Sequence, residues 1–291
     1  MTNPPDCSVV MPVGRVDHEA RLQVAAVLAQ RDAPSFELVL ALNTTDRAQA
    51  QQLADMVAEL ADPRVRIVPA LDRRGASHAR NVGAAAAMAP VLAFCDADDV
   101  AEPEWLASLL RALAGYSAVG GALVEDTLAD EQQAGWRPPA TPDALPTFMG
   151  APYIVSASMA ITRAAFEQVG GFDETLTRCE DIAISFALLT AGHTLGFAPD
   201  ARMHYRQRAG FRAMLRQHYL YGRGMSEVLV RYGVPGAQGV QRPTGLALMK
   251  PNGQAGAGRR SLASVARRAA IAAGRARGVL SERRRAARAA G

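Results

Sequence analysis

Cysteine is scarce in this chain. Its three copies, Cys7, Cys95 and Cys179, are odd in number, far apart and without metal-ligand spacing in a sequence of 291 residues. A disulfide-stapled fold and a cysteine-built zinc site are therefore excluded, and the thiols read as reduced. Aromatics are also few, at 5% against 49% hydrophobic residues, which disfavours an aromatic-rich β-sandwich and favours alanine-rich helices packed on a sheet. No run of about 20 uninterrupted apolar residues occurs, as a membrane-spanning helix would need. The opening Met1-Thr2-Asn3-Pro4-Pro5 lacks the basic start and apolar middle of a signal peptide. The expectation is a chain made and kept in the cytoplasm. Basic residues interleaved with aromatics are missing too, so no nucleic-acid partner is expected.

What is present suffices for one α/β domain with an appendage, and its charge is uneven. Residues 1–205 hold 14 basic and 26 acidic residues, a net −12, whereas residues 206–258 carry +7 and residues 259–291 carry +9. An acidic body with a basic final third implies two jobs, one binding a cation and phosphates, the other facing an anionic surface.

The chain is organised around Val91-Leu92-Ala93-Phe94-Cys95, which runs directly into Asp96-Ala97-Asp98-Asp99. A continuous apolar run is what a strand covered on both faces looks like, and ligands of parallel sheets gather at the strands' carboxyl ends. Carboxylates this close repel one another unless a cation compensates, and a hard divalent cation with oxygen ligands does so well. Asp99, the least needed for that work, is expected to cap the helix beginning near Glu102-Pro103-Glu104. Upstream, Cys7 to Val13, Phe36 to Leu42 and Val65 to Pro69 read as strands. They are separated by helices over Arg21 to Gln30, which Asp17 can cap, and Gln49 to Leu60. This β-α-β-α-β order predicts parallel strands with right-handed crossovers, all ending at one edge. Gly75 then opens an alanine-rich helix with Arg73, Arg74 and Arg80 nearby, and the free N–H groups of such a helix start suit a phosphate.

After a strand at Ala118 to Val124, the polar, proline-rich stretch from Asp126 to Gly150 is too long for an idle connection. It is expected to lie over the site, with Trp136 as a stacking surface for a sugar or lipid acceptor. A strand over Tyr153 to Thr162 and a helix from Arg163 to Val169 lead to Gly170-Gly171-Phe172-Asp173-Glu174. Ile182, Phe186 and Leu189 share a helical face, which sets Glu180 and Asp181 at that helix's amino end beside a cleft. Two short strands, Thr194 to Phe197 and Met203 to Arg206, close the domain and carry His204.

Together these segments resemble the family-2 glycosyltransferases, which have the GT-A nucleotide-sugar-binding fold. Ser8-Val9-Val10-Met11-Pro12-Val13 resembles the family's first strand; Gly75-Ala76-Ser77-His78-Ala79-Arg80-Asn81-Val82-Gly83 is similar to its Ala-Arg-Asn-x-Gly helix; Asp96-Ala97-Asp98-Asp99 resembles its Asp-x-Asp motif. The Gly-Gly-Phe-Asp-Glu turn, Glu180-Asp181 and His204 follow in the family's order, so the likeness covers about residues 6 to 206. It implies an α/β fold of Rossmann-like GT-A type, with a mixed, mainly parallel sheet flanked by helices and a helical basic C-terminal extension. It also implies a Mg²⁺- or Mn²⁺-dependent enzyme that moves a sugar, with inversion, from a nucleoside-diphosphate sugar to an acceptor hydroxyl. The metal would be held by Asp98, Asp96 and His204. The donor would meet Pro12, Val13, Gly14, Asn43, Gly75, Arg80, Asp96 and Ala97. Asp181 would be the general base, with Glu180 as its substitute. The acceptor would be a glycan, a lipid-linked molecule or a small molecule. One departure is Asn43, where the family usually has a carboxylate that recognises the base; Asn43 could hydrogen-bond a base edge instead. The alternative is a catalytically silent, sugar-nucleotide-binding scaffold of a membrane-associated glycan assembly.

The resulting division is a catalytic domain at 1–206, a helical extension at 207–232, a Gly/Pro linker at 233–258 and an arginine-rich tail at 259–291, either disordered or weakly helical. The helix over Gly210 to Gly224 is expected to lie across the acceptor side, where it meets a membrane surface or an acceptor phosphate. Residues 207–291 are expected to meet an anionic membrane surface, which leaves open a peripheral place on the inner face of the plasma membrane.

Overall fold

The computed structural model describes residues 4–124, 142–176, 178–206, 210–236, 239–243 and 262–289. Trp136 and most of the proline-rich stretch lie outside the described residues. The chain opens with β1 (Cys7–Val13), α1 (His18–Leu28), β2 (Phe36–Leu42), α2 (Arg47–Leu60), β3 (Val65–Pro69), α3 (Ala76–Ala86) and β4 (Val91–Cys95). Asp17 does cap α1, accepting from the Ala20 N–H at 3.1 Å, and Asp46 does the same for α2 through Ala48 at 2.9 Å. Next come β5 (Val100–Ala101), α4 (Trp105–Leu113), β6 (Ala118–Val124), β7 (Thr147–Phe148), β8 (Ala151–Pro152), β9 (Ser158–Thr162) and α5 (Arg163–Gln168). The last elements are α6 (Glu180–Thr190), β10 (Leu195–His204), α7 (Phe211–Arg231) and α8 (Leu262–Ala289).

The main sheet has the strand order β3-β2-β1-β4-β9-β6-β10-β5. Pairs β1–β2, β2–β3, β1–β4 and β6–β10 are parallel, while β9 runs antiparallel to both β4 and β6. From β1 the chain steps outward through β2 and β3, then returns to the other side of β1 as β4. At such a reversal the connections leave on opposite faces, and a crevice opens beyond the strands' carboxyl ends. One face of the sheet packs on α1, α2 and α4 through Val24, Val27, Leu53, Met56, Trp105 and Leu109. The other packs on α3, α5 and α6 through Ala84, Phe166, Ile184 and Leu188. Covering on both faces explains why β2 is buried along its whole length. Its Glu37 survives inside because Ser8, Arg66 and the Met88 N–H all bind its carboxylate.

Three expectations are corrected. Asp99 caps no helix: β5 intervenes, α4 starts at Trp105 after Glu104, and the Asp99 carboxylate instead accepts from the Arg206 N–H at 2.8 Å. The strand expected over Tyr153 to Thr162 pairs only from Ser158, where it meets Cys95 of β4. The two expected closing strands are one, β10, whose register shifts between Ala198 and Arg202. Pro199 lies in that interval and has no N–H for the ladder, so the chain bulges rather than ends.

Where β6, β9 and β10 run side by side there is no room for a side chain at Gly121, since a Cβ would collide with Ser158 Oγ and the Ala201 carbonyl. Gly121→Val should therefore cost about 3 kcal/mol in urea unfolding, and a loss below about 0.5 kcal/mol would mean that the three strands separate freely there.

Candidate active site at the end of the fourth strand

The buried β4 delivers the chain into Asp96, Asp98 and Asp99, whose ligand oxygens all lie within 4.8 Å of one another. Asp99 is 1% exposed, and its Oδ2 has no hydrogen-bond partner among the described residues. Burial, and then the charge of Asp96, push its pKa well above the usual carboxylate range. An orphaned buried carboxylate oxygen beside two further carboxylates fits a hard divalent cation such as Mg²⁺ or Mn²⁺, which takes oxygen ligands and relieves this repulsion. His204 is outside that group. The pairing of β10 with β5 sets it opposite Val100, and its Nε2 lies 3.2 Å from Glu102 Oε1, which also accepts from Arg202. Among the described residues, the third ligand that geometry offers is thus Asp99.

Arg80 is the centre of the site. It sits on α3, 2% exposed, and donates to Asp96 Oδ1 and, at 3.0 Å, to Glu180 Oε1. Its guanidinium also lies 5.5 Å over the Phe172 ring. Burial opposes its charge, yet the two carboxylates, Asp96 first, outweigh burial and raise its pKa. Both terminal amino groups are therefore engaged by carboxylates, and Arg80 holds the acids in place rather than presenting a bare charge to a phosphate. The next residue, Asn81, binds the turn after α5: its Oδ1 accepts from the Phe172 N–H at 2.9 Å, and its Nδ2 donates to the Phe172 carbonyl and to Glu174. His78 meets Glu174 from the same helix at 3.0 Å. This gives the Ala-Arg-Asn sequence a physical meaning, since adjacent helical positions point to two different partners.

Glu180 and Asp181 open α6, and their surroundings differ. The Glu180 carboxylate is paired with Arg80. Among the described residues the Asp181 carboxylate faces no cation of its own, and it accepts from the neighbouring Ile182 N–H at 2.8 Å. Burial, and then the negative charge of Glu180, push its pKa up to about 7. A carboxylate poised there can take a proton at neutral pH, which the ion-paired Glu180 is less suited to do.

Asn43 follows β2 and orders the loop ahead of α3. Its Nδ2 donates to the Ala70 and Arg73 carbonyls, and its Oδ1 accepts from the Gly75 N–H at 2.8 Å. The amide is thus committed to backbone, and so is the Gly75 N–H that seemed open to a phosphate. Gly75 holds φ +141°, beyond the reach of most side chains.

These groups border one cleft of ≈ 630 Å³, lined by Pro12, Gly14, Asn43, Arg80, Asp96, Ala97, Asp98, Glu180 and Asp181 among others. Such a volume suits a nucleotide-sized ligand. Val13 is buried in the core instead, and none of Gly75, Asp99 and His204 is among the lining residues, Asp99 lying just beneath Asp98. Sequence reasoning missed Arg178, Tyr205, Arg206, Gln217 and Tyr221, which also line the cleft. Arg178, Tyr205 and Arg206 had a signal in their closeness to Asp181 and His204, and Gln217 and Tyr221 lie on α7, the helix expected across the acceptor side.

Comparison with known proteins gives the following. The family model described as Glycosyl transferase family 2 matches residues 8–170, and that described as Glycosyl transferase family group 2 matches residues 145–256. Curated pre-mycofactocin glycosyltransferases from two strains of Mycobacterium tuberculosis, CDC 1551 and H37Rv, are 30% identical over 172 residues. The match covers 55% of this chain but 36% of theirs, so the chain spans about a third of their length. The mannosyltransferase PcManGT from Pyrobaculum calidifontis, solved with GDP-Man and Mn²⁺, shares the fold with TM-score 0.61 and 18% identity, covering 100% of this chain and 77% of that one. Residues 1–349 of TarS from S. aureus give TM-score 0.56 and 16% identity over 80% of this chain and 68% of that one.

Removing the central cation is the direct test of this electrostatic arrangement. Arg80→Met strands two carboxylates and should lower stability by about 3–5 kcal/mol at pH 7.5. The loss should shrink at pH 5, where the stranded carboxyls take up protons, and a deficit independent of pH in denaturant titrations would mean that Arg80 acts only by packing.

Proposed function

Because the chain belongs to glycosyl transferase family 2, we propose that it moves a sugar from a nucleoside-diphosphate sugar to an acceptor hydroxyl, with inversion and with Asp181 as general base. The observation that carries this reading is the pairing, on one cleft, of a carboxylate group fit for a divalent cation with a carboxyl whose pKa is about 7. Asp96, Asp98 and Asp99 would hold Mg²⁺ or Mn²⁺; His204, the ligand expected from the resemblance, would join them only by turning from Glu102. When bound, that ion would offset the negative charge growing on the departing diphosphate.

The protein's own groups do the rest. The strand-end backbone at Pro12 and Gly14, with Asn43 and Ala97, forms the wall for the nucleoside. Arg80 holds Asp96 and Glu180 in ion pairs, so that Asp181 remains the group to accept the acceptor's proton. Protein packed around the Asp181 carboxyl, with the charge of Glu180 beside it, keeps its affinity for a proton near that needed at neutral pH. The acceptor, whether glycan, lipid-linked or small molecule, would enter from the side of Arg178 and Tyr221.

A second surface supports a peripheral membrane contact. Arg268, Arg277, Arg283, Arg284, Arg285 and Arg288 of α8 are exposed, while the helix's acid, Glu282, is buried. Among the described residues no helix is long and apolar enough to cross a membrane. A cationic face of this kind would adsorb on anionic lipid by charge.

Asp181→Asn should lower kcat by about 10²- to 10⁴-fold while nucleotide binding stays within about threefold of the parent, and an active variant would remove Asp181 as the base. In the parent, kcat/KM should climb with pH, pass its half-maximum near 7 and level off about one pH unit higher, because the base acts only when deprotonated. The sign for stability is opposite. The folded carboxyl holds its proton more tightly than the unfolded one, so the parent loses stability as pH rises from the usual carboxylate range through about 7. Asp181→Asn should thus melt higher than the parent at pH 8 and equal to it at pH 3. For the membrane contact, changing Arg283, Arg284, Arg285 and Arg288 to Gln should abolish co-flotation with anionic vesicles at low salt; retention would exclude this face.

A further inference from the structure

We infer that α7 and α8 are part of the catalytic unit, with Arg231 a positioning residue that holds the loop presenting Asp181 and Glu282 the group that holds Arg231. The inference rests on the proposed role of Asp181. It starts from the weakness of that loop on its own. Cys179, just before α6, adopts φ +66° and ψ +26°, and no side chain caps the helix start. A non-glycine residue in this region persists only where its surroundings impose it.

The surroundings are α7, which grips the loop at both ends. At the near end Gly224 lies so close to the Arg178 carbonyl that a Cβ would collide with it, and the Cys179 thiol donates to the Tyr221 carbonyl at 3.6 Å. At the far end Arg231 donates to Asp173 at 3.0 Å and to Thr175 at 2.7 Å, with the Tyr232 hydroxyl also on Asp173. Between them Val228 and Leu229 pack on Leu176, Cys179, Ile182 and Phe186. Two anchors on one rigid helix hold the Asp173 to Thr175 turn and the Arg178–Cys179 pair together better than either would alone.

Arg231 is itself fixed from α8. Its Nη2 donates to Glu282 at 2.6 Å, and Glu282 is 7% exposed. The two helices touch backbone to backbone: a Cβ at Gly222 would strike the Ile271 carbonyl, and one at Gly274 or Gly278 the carbonyl of Tyr219 or Arg223. Because α8 begins at Leu262, it lies beyond both matched family regions, which end at residues 170 and 256. Of the clamp, only the part that α8 supplies, Glu282 included, lies beyond those regions.

The test uses the full chain with Glu282→Gln, Arg231→Met and Arg231→Lys, and two readouts. The first is steady-state kinetics with whichever UDP-, GDP- or dTDP-sugar a screen finds to be turned over. The second is the rate at which a thiol reagent labels each cysteine, resolved by peptide mass spectrometry. Glu282→Gln and Arg231→Met should lower kcat by about tenfold or more with donor KM within about twofold. Cys179 should label at least about tenfold faster while buried Cys7 and Cys95 keep the parent rate. Arg231→Lys, which keeps the charge and part of the bonding, should recover part of kcat. Cys179 labelling at the parent rate, all three cysteines accelerating together, or a loss confined to donor KM would each overturn the inference. Should Arg231→Met fail to fold, Glu282→Gln decides alone. If no donor is turned over, the sugar-transfer reading fails and Cys179 labelling still decides the clamp.

Discussion

A guanidinium removed from water is tolerable only while carboxylates surround it, and in this protein the Arg80 guanidinium is shared between Asp96 at the end of β4 and Glu180 at the start of α6. The two acids belong to segments far apart in sequence, so the ion pairs tie the sheet edge to the helix that carries Asp181. Phe172 beneath the guanidinium and Asn81 beside it add the turn after α5 to the same unit. Loss of Arg80 would cut the ion pairs to Asp96 and Glu180 together, while Asn81 would still hold the turn after α5.

The same arrangement separates the chemistry of neighbouring carboxylates. Glu180 and Asp181 are adjacent, yet Arg80 answers the charge of one, while burial and that neighbour's charge push the other up to about 7. Asp96 and Asp99 diverge likewise: Asp96 meets Arg80, and Asp99 is turned inward with its pKa raised. Acid and base roles in a small space arise from this kind of divergence, where identical groups receive different solvation and different partners.

Much of the frame was legible because hydrophobic runs are local. The strands Phe36–Leu42 and Val65–Pro69 have the same bounds in sequence and structure, since β2, buried throughout, needs a continuous apolar run and β3 is a short β-branched run closed by a proline at the sheet edge. β9 was less legible: from Tyr153 onward the residues are small enough for strand or loop, and only the position of β4 decides where pairing begins. β10 looked like two strands because Pro199 interrupts the pattern, although the chain continues past the bulge. At the site, the acids after β4 and the Glu180-Asp181 pair could be singled out by their place after an apolar run and at a helix start. The partners of those acids could not. That Asn43 spends its amide on the Ala70 to Gly75 loop, that Arg80 faces inward, and that His204 meets Glu102 are all contacts between residues distant along the chain.

By itself the sequence determined most of the strands and helices, that the parallel strands β1 to β4 would end at one edge, and that carboxylates would gather there, because periodicity, capping and strand length act over a few residues. Tertiary structure alone decided which carboxylate is neutralised and which keeps a raised pKa, that Asp99 turns inward instead of capping α4, and that α7 and α8 clamp the loop before Asp181. Those outcomes depend on burial and on charges a few ångströms away, and both are set by how distant segments pack.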